Sequence, residues 1–281
     1  MAGILYLCAT PIGNLEDITI RTLSLLKSVD VIAAEDTRNT IKLLNHYEIK
    51  TPMTSYHEHN KTIKGLVLIE RLQKGENIAL VTDAGMPGIS DPGADLVTLC
   101  YDAGISVTVA PGASAALVGL VLSGLDTRQF VFEGFLPIEK KERKRRGQLL
   151  EREHRTMVFY EAPHRLTDTL AFFSEVFGAK RQMALVRELT KRFEEVRRVS
   201  VEEAAAYYET ANPRGEFVLV VEGYSLERQR EEEIAGWACI SLEAHMAHYL
   251  DKGMSEKDAM KCVAKDRGIS KRDVYQEIKT H

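Results

Sequence analysis

Cysteine is scarce in this chain, and the cysteines that it has are far apart. Among 281 residues, the four cysteines Cys8, Cys100, Cys239 and Cys262 form no CxxC pair. Disulfide frameworks and zinc sites both rely on closely spaced cysteines, so neither is expected. We expect buried free thiols in a reducing cytoplasm and no metal site.

Long hydrophobic runs are absent as well. No apolar stretch approaches the roughly 20 residues that a membrane-spanning helix requires. The short apolar segment ILYLCA at residues 4–9 has no basic segment before it, so we expect no signal peptide. With 44% hydrophobic and 28% charged residues, the composition is typical of a soluble globular protein. We expect about two domains, a cytoplasmic location and no membrane partner.

Several common catalytic motifs are also missing. The chain contains neither the GxGxxG fingerprint nor a GxxxxGK[S/T] P-loop, which argues against a nicotinamide Rossmann enzyme and a P-loop ATPase. HExxH, GxSxG and closely spaced His/Cys clusters are absent too. Metal-dependent hydrolysis and α/β-hydrolase chemistry therefore have no motif that supports them.

The first part of the chain alternates apolar, strand-like runs with amphipathic helical patterns. The strand-like runs are ILYLCA (4–9), DVIAAED (30–36), NIALVTD (77–83) and ISVTVAPG (105–112). These runs are continuously apolar, as is typical of strands that helices cover on both faces. The β-α-β-α order predicts an α/β domain with a mainly parallel sheet, which we assign to residues 1–118.

A second, mixed α/β domain is predicted over residues 119–225. Its strand-like runs are FVFEGF (130–135), TMVFYEA (156–162), MALVREL (183–189), EEVRRVS (194–200) and FVLVVEG (217–223). Helical patterns lie between most of them, and we expect more antiparallel pairing here than in the first domain.

Beyond Gly223, the segment SLERQREEE reads as a linker, and residues 232–281 are predicted to be purely helical. Ser255 with Asp258, and Ser270 with Asp273, match the pattern that starts a helix. The intervening RGIS predicts a turn, so the tail is expected to resemble a helix-turn-helix. A small helical appendage that packs or dimerises is an equally open interpretation.

Four loops that follow predicted strands are rich in glycine, proline or charge. They are ATPIGN (9–14), EDTRNT (35–40), TDAGMPGISDPG (82–93) and APGASA (110–115). In open α/β sheets, ligands bind at the carboxyl ends of the strands. Glycine lets the backbone approach a ligand closely, and proline reduces the entropy lost on binding. Together the loops predict a cleft for a small zwitterionic ligand with an adenosine part, although simple turns would also use these residues.

Long segments of the chain resemble a known family of methyltransferases. The segments are ATPIGNLEDITIRTLSLLKSVDVIAAEDTRNTIKLL, TDAGMPGISDPG, APGASA, FYEAPHRL and RGEFVLVVEG. They are similar to the ribosomal RNA small-subunit methyltransferase I family, which belongs to the tetrapyrrole-methylase-like enzymes that use S-adenosylmethionine (SAM). The resemblance covers essentially the whole chain, including the helical tail.

The resemblance implies a fold and a reaction. The implied fold has two α/β domains with SAM in the cleft between them, followed by the helical tail. The implied reaction is methylation of the 2′-hydroxyl of one cytidine in small-subunit ribosomal RNA, by a cytoplasmic homodimer.

The resemblance also implies which residues hold SAM, largely through their backbone. They are Pro11, Asp83, Ala84, Gly85, Pro87, Gly88, Ile89, Ser114, Ala115, Tyr160, Gly215 and Phe217. The first loop of the superfamily often reads GxGPG, whereas this chain has ATPIGN, so the departure falls at Pro11. A turn-capping role for Asp83 and a positive-φ role for Gly85 and Gly88 are the structural alternatives.

Methyl transfer to a ribose hydroxyl needs in-line positioning and a base that takes the proton. We predict that Asp36 or Glu161 is this base. Predicted RNA contacts, several of them within the basic stretches KKERKRR (140–146) and TKRFEEVRR (190–198), are Arg38, His57, Lys140, Arg143, Lys144, His164, Arg187 and Lys191. The net charge is −4, so binding of RNA phosphates must depend on such local basic stretches. Structural ion pairs are the alternative for each of these residues.

Two other functions remain open from the sequence. One is methylation of a tetrapyrrole precursor by the same fold, for which a wide apolar cleft is expected in place of basic rims. The other is a non-catalytic regulator in which the helical tail is the part that binds nucleic acid. The regulator leaves the four glycine- and proline-rich loops without a role.

Overall fold

The computed structural model describes residues 1–225, 234, 236–237 and 239–280, and for 279–280 only the backbone. The chain forms two compact units. The first comprises Met1–Glu151 and Arg155–Glu222, and the second comprises Arg152–His154 and Gly223–His281. The predicted linker SLERQREEE lies, apart from its first residue, outside the described residues.

The first unit begins with a five-stranded sheet in the order β3-β2-β4-β1-β5. Its strands are β1 (Ile4–Cys8), β2 (Val31–Ala34), β3 (Met53–Ser55), β4 (Ile78–Val81) and β5 (Ser106–Ala110). All of the pairings are parallel, as the β-α-β-α pattern predicts. The helices that connect and follow these strands are α1 (Ile20–Ser28), α2 (Thr37–His46), α3 (Lys61–Gln73), α4 (Gly93–Asp102) and α5 (Ala115–Ser123).

Helices cover both faces of the first sheet. Leu80 of β4 packs in one cluster with Leu68 of α3 and Leu96 of α4. Val81, the next residue, packs on the other face with Leu26 of α1 and Leu44 of α2. Strands β2 and β4 are buried at every position, which explains their continuous apolar sequence.

Strand β3 was missed by the sequence analysis. It has only three residues, all half-buried, and it lies at the edge of the sheet. Short edge strands carry little of the hydrophobic pattern on which prediction depends. The four strands that precede the glycine- and proline-rich loops lie side by side, so their loops meet at one edge.

The same unit contains a second five-stranded sheet, in the order β6-β7-β10-β8-β9. Its strands are β6 (Phe130–Phe135), β7 (Thr156–Glu161), β8 (Gln182–Arg187), β9 (Glu195–Ser200) and β10 (Phe217–Val221). Only the β6–β7 pairing is parallel, which confirms the expected increase in antiparallel pairing. The helices in this part of the chain are α6 (Lys140–Leu150), α7 (Leu166–Phe177) and α8 (Val201–Thr210).

Helix α5 packs against the second sheet. Leu120 shares a buried cluster with Val158 of β7 and Val220 of β10. At Gly119 an added Cβ would lie 2.7 Å from the side chain of Val218, so only glycine allows this close approach. The proposed domain boundary at residue 118 lies within α5, and the division into 1–118, 119–225 and 232–281 stays a prediction.

The second unit includes the helices α9 (Leu242–Leu250), α10 (Glu256–Arg267) and α11 (Lys271–Thr280). The hydroxyl of Ser255 accepts a hydrogen bond from the Asp258 amide, and Ser270 does the same for Asp273, as the sequence predicts. Gly268 ends α10 in the left-handed conformation. The unit has its own apolar core, which includes Met246, Val263 and Val274.

Two further expectations can be compared with the structure. Within the described residues, no helix is both long enough and apolar enough to span a bilayer. Cys8 and Cys100 are buried, as expected, and burial raises the pKa of the Cys8 thiol to about 12. Cys239 is exposed, so the expectation of buried thiols is wrong at that position.

Candidate functional site

A cleft of about 320 Å³ opens at the carboxyl edge of the first sheet, and both sheets contribute to its walls. Loops of the first sheet supply Ile12, Glu35, Thr82, Asp83, Ala84, Gly85, Met86, Ile89, Ser90, Asp91, Ser114 and Ala115. The second sheet and its loops supply Phe135, Tyr160, Glu161, Ala162, Glu188, Leu189, Lys191, Glu216, Phe217 and Val218.

Most of the predicted SAM-binding residues line this cleft. They are Asp83, Ala84, Gly85, Ile89, Ser114, Ala115, Tyr160 and Phe217. The remaining four, Pro11, Pro87, Gly88 and Gly215, are each next in sequence to a residue of the wall without lining it themselves. The structure therefore brings the predicted set together, and the role of each member in binding stays a prediction.

The loop 82–93 is folded by one carboxylate. Asp91 accepts hydrogen bonds from the backbone amides of Gly88 at 2.8 Å, Ile89 at 3.1 Å and Gly93 at 2.7 Å. Gly88 and the non-glycine Ser90 both adopt positive φ, at 88° and 64°. Because its hydrogen bonds already fix this turn, its backbone would lose little conformational entropy when a ligand binds in the cleft.

Gly85 is the point at which three loops of the first sheet meet. Its amide and carbonyl pair with those of Thr10, at 3.1 and 2.9 Å. Its φ is 84°, and an added Cβ would lie 3.3 Å from Ile12 and 3.4 Å from the carbonyl oxygen of Ala113. A side chain here would therefore be strained and would also press on both neighbouring loops.

Tyr160 joins the second sheet to the start of α5. Its hydroxyl accepts a hydrogen bond from the Ala116 amide at 3.2 Å, within the first turn of the helix. Burial raises the pKa of this phenol. The rings of Phe132 and Phe135 lie 5.0 and 5.7 Å from the Tyr160 ring, so an aromatic group forms one wall of the cleft.

The walls of the cleft carry many more carboxylates than cations. The acidic residues are Glu35, Asp83, Asp91, Glu161, Glu188 and Glu216. Lys191, the basic residue of the wall, is paired with Glu188 at 3.0 Å. Burial, and then the charge of Glu35, raise the pKa of Asp83. Such a wall favours a ligand with positive charge, as both the sulfonium and the ammonium group of SAM have.

The two predicted bases have different surroundings. Asp36 caps α2 and is paired with Arg38 at 2.7 Å, which lowers the pKa of the carboxyl to about 2. It does not line the cleft, whereas its neighbour Glu35 does. Asp36 is therefore held in an ion pair and is only weakly basic.

Glu161 lies in the wall of the cleft and is 2% exposed. One carboxylate oxygen accepts from the Ala162 amide at 2.8 Å, and the other accepts from the Thr169 hydroxyl at 2.5 Å. The Nε of Arg165 lies 3.6 Å from the first oxygen. The position suits a base, and the contacts also suit a structural carboxylate.

The predicted RNA contacts do not form one cluster. Arg38 pairs with Asp36, and Arg187 pairs with Glu195 at 2.6 Å, so both have structural partners. His57 lies after β3, where its Nε2 is 3.1 Å from the side-chain amide of Asn60. His164 is exposed in a short 3-10 turn.

On α6, Lys140 and Lys144 are exposed, and Arg143 lies over the Phe172 ring at 5.4 Å. Of the predicted RNA contacts, Lys191 is the one that lines the cleft.

Sequence reasoning missed several residues of the wall. Glu35 directly follows a buried strand, so its position at the sheet edge was a usable signal. Phe135 ends β6, but nothing in FVFEGF indicates which way its ring points. The turn after β8, in which Glu188 and Thr190 adopt positive φ, at 52° and 62°, has no sequence signature.

Comparison with known proteins agrees with this architecture. A family model described as Tetrapyrrole (Corrin/Porphyrin) Methylases matches residues 4–205. The ribosomal RNA small subunit methyltransferase I of Bacillus subtilis (strain 168) is 50% identical over 97% of this chain and 93% of its own length.

Two solved structures share the fold at low sequence identity. Uroporphyrin-III-C-methyltransferase from Thermus thermophilus is 22% identical with a TM-score of 0.55, over 78% of this chain and 94% of its own. Diphthine synthase is 13% identical with a TM-score of 0.61, over 79% and 90%. At these identities the likeness concerns the fold alone.

Proposed function

The chain belongs to the ribosomal RNA small subunit methyltransferase I family, within the tetrapyrrole methylases, and from this premise we propose its reaction. It transfers a methyl group from SAM to the 2′-hydroxyl of a cytidine in small-subunit ribosomal RNA. The observation that carries the proposal is the cleft at the carboxyl edge of the first sheet, lined by the loops that resemble the family.

The residues of the cleft fit SAM chemically. When bound, SAM supplies a methyl group attached to a positively charged sulfur. The backbone of Ala84, Gly85 and Ser114 would hold the donor, and the carboxylates of Glu35 and Asp83 would offset its positive charge. The hydrogen-bonded loop around Asp91 keeps the backbone preorganised for this task.

A carboxylate of the chain removes the proton of the ribose 2′-hydroxyl. Of the two predicted bases, we propose Glu161, because it lies in the wall of the cleft whereas Asp36 is paired with Arg38. The Ala162 amide and the Thr169 hydroxyl fix the orientation of the Glu161 carboxylate. A fixed carboxylate can accept a proton without first losing conformational freedom.

The RNA would lie along one face of α6, which we call the α6 basic face: Lys140, Lys141, Lys144 and Arg145. All four side chains are exposed, and none of them pairs with a carboxylate in the described part of the chain. Arg146 is excluded because Glu133 engages it at 2.6 Å. Contacts of such a face with phosphates set the register of the RNA without reading its sequence.

The cytoplasmic location and the homodimer are proposals that come with the family resemblance. Sedimentation analysis of the purified chain tests the dimer: a single species with twice the mass of the chain is expected. A monomer at micromolar concentration with full methylation activity would remove the dimer from the proposal.

An incubation with labelled SAM separates the substrate classes. Small ribosomal subunits from cells that lack this gene should become labelled, and a precorrin-type tetrapyrrole should not. Transfer of label to the tetrapyrrole alone would reassign the chain to tetrapyrrole methylation. No transfer to any acceptor, with intact RNA binding, would favour the regulator.

A further inference from the structure

Strand β6 contains a bulge just before its carboxyl end. Phe132 pairs with Val158 of β7, and the next pair is Gly134 with Phe159, so Glu133 is an extra residue. Gly134 adopts φ 64°, and an added Cβ would lie 3.2 Å from the Ser90 hydroxyl in the loop 82–93. Bulges bend a strand and redirect the side chains that follow, and they are frequent next to active sites.

The bulge decides which way Phe135 points. In an uninterrupted strand, Phe132 and Phe135 are three residues apart and project from opposite faces. The extra residue restores Phe135 to the face of Phe132, since their partners Val158 and Tyr160 are two residues apart. That face carries α5 and the cleft, so the bulge directs the Phe135 ring into the cleft wall.

The bulge is tied to the basic helix. The side chain of Glu133 is only 3% exposed, and it accepts hydrogen bonds from Arg146 Nε at 2.6 Å and Nη2 at 2.7 Å. A bidentate Arg–carboxylate pair fixes both distance and orientation. The ring of Phe135 and the α6 basic face are therefore held in one arrangement.

Phe135 is 53% exposed, although its side chain is large and apolar. It lies 5.7 Å from Tyr160 in the wall of the cleft, where it offers a flat surface to an incoming group. The strand that ends at Phe135 leads directly into α6, which begins with the exposed Lys140, and a flat ring followed by such cations suits a ligand that has both a π-face and phosphates. An unstacked nucleotide of RNA has both.

We propose that Phe135 is the platform on which the base of the target nucleotide stacks while its ribose is methylated. This inference rests on the proposed function. Sequence-specific recognition of RNA targets bases that are already unstacked or can be splayed out, and an aromatic side chain replaces the lost stacking neighbour. Phe135 is thus a substrate-positioning residue, and the Glu133–Arg146 pair holds it in place.

The test measures methylation of unmethylated small subunits by the full-length chain, with KM and kcat determined separately. Phe135→Ala should raise KM for the subunit about 5- to 150-fold, the range that loss of one stacked base gives. Phe135→Leu should be similarly impaired, because it is apolar without a π-face. Phe135→Trp should stay near the wild type, and the affinity of each variant for SAM, measured by calorimetry, should be unchanged.

Ile138→Ala is the matched control, because Ile138 is 83% exposed, close in sequence and absent from the cleft wall. It should retain the wild-type KM. A wild-type KM in Phe135→Leu would overturn the stacking proposal. So would a loss of SAM affinity in Phe135→Ala, which would place the ring against the methyl donor, or a changed sedimentation coefficient, which would place it between copies of the chain.

The failure of the stacking proposal can be told apart from a failure of the proposed function. If the wild-type chain methylates subunits and Phe135→Ala does so with the same KM, only the stacking proposal fails. If the wild-type chain methylates no subunit, the proposed function fails and the stacking proposal fails with it.

Discussion

Gly85 shows how one residue links the fold to the candidate site. It joins the loop after β4 to the loop after β1 through paired hydrogen bonds with Thr10. Its positive φ strains any side chain placed there, and an added Cβ would press on Ile12 at 3.3 Å. The wall that we assign to SAM therefore depends on this glycine for its shape.

Gly85→Val should abolish measurable SAM binding by calorimetry, because the side chain displaces two loops of the cleft. Gly104→Val is the matched control: its φ is 66°, and an added Cβ meets nothing within 4 Å. Both variants should lose stability, by about 1–2 kcal/mol from the left-handed backbone alone. SAM binding by Gly85→Val as tight as by Gly104→Val would remove the loop from the donor site.

Glu161 is the second test at this scale. Glu161→Gln should lower kcat at least about 100-fold, since the amide cannot accept the proton. Thr169→Val removes the hydroxyl that orients Glu161 but keeps the carboxylate. It should therefore lose much less activity than Glu161→Gln, while the two variants lower the melting temperature by similar amounts. Single-turnover methylation and thermal melts measure both effects. Near-normal turnover in Glu161→Gln would contradict Glu161 as the base, and near-normal turnover in Asp36→Asn as well would exclude both predicted carboxylates.

At the residue scale, contacts between side chains could not be predicted from the sequence. The order EDTR made Asp36 a candidate base, but only the fold reveals that Arg38 folds back onto it. Thr169 is eight residues from Glu161, and nothing in the sequence links them. Backbone loops rich in glycine were predictable because their composition itself reflects unusual conformations.

At the scale of elements, periodicity predicted most strands and helices, and it failed where geometry departs from the ideal. Strands β2 and β4 were evident because every position is buried. Strand β3 was not, because its three residues are only half-buried. The bulge at Glu133 was not predicted either, although a glycine inside a strand, here Gly134, often marks one.

Helix α6 supports a prediction about salt dependence. The double variant Lys140→Glu, Lys144→Glu reverses two charges one turn apart on the α6 basic face. It should weaken binding to small subunits and reduce the slope of log affinity against log salt by about one to two. Filter binding over a salt series provides the measurement.

Lys27→Glu, Lys50→Glu makes the same change in net charge as a control. Both residues are exposed, and they lie near the opposite edge of the first sheet, where α1 ends before β2 and where the chain enters β3. The affinity and its salt slope should stay at the wild-type values. Equal losses in the two double variants would mean that net charge, and not the α6 basic face, governs binding.

At the scale of the whole molecule, the two sheets form one compact unit and the helical tail forms another. The cleft draws its wall from both sheets, which is why no single motif of the sequence could define it. The sequence predicted the class of each half and the helical character of the tail. The way that α5 packs on the second sheet depends on Gly119 and Val218, a contact between distant segments.

The most direct test of the central claim is a map of 2′-O-methylation in small-subunit ribosomal RNA. RNA from cells that lack this gene is compared with RNA from cells that carry the wild-type gene or Gly85→Val, using resistance of each linkage to alkaline cleavage. We predict one cytidine that is methylated with the wild-type gene and unmethylated in the other two. An identical methylation pattern in all three strains would contradict the account.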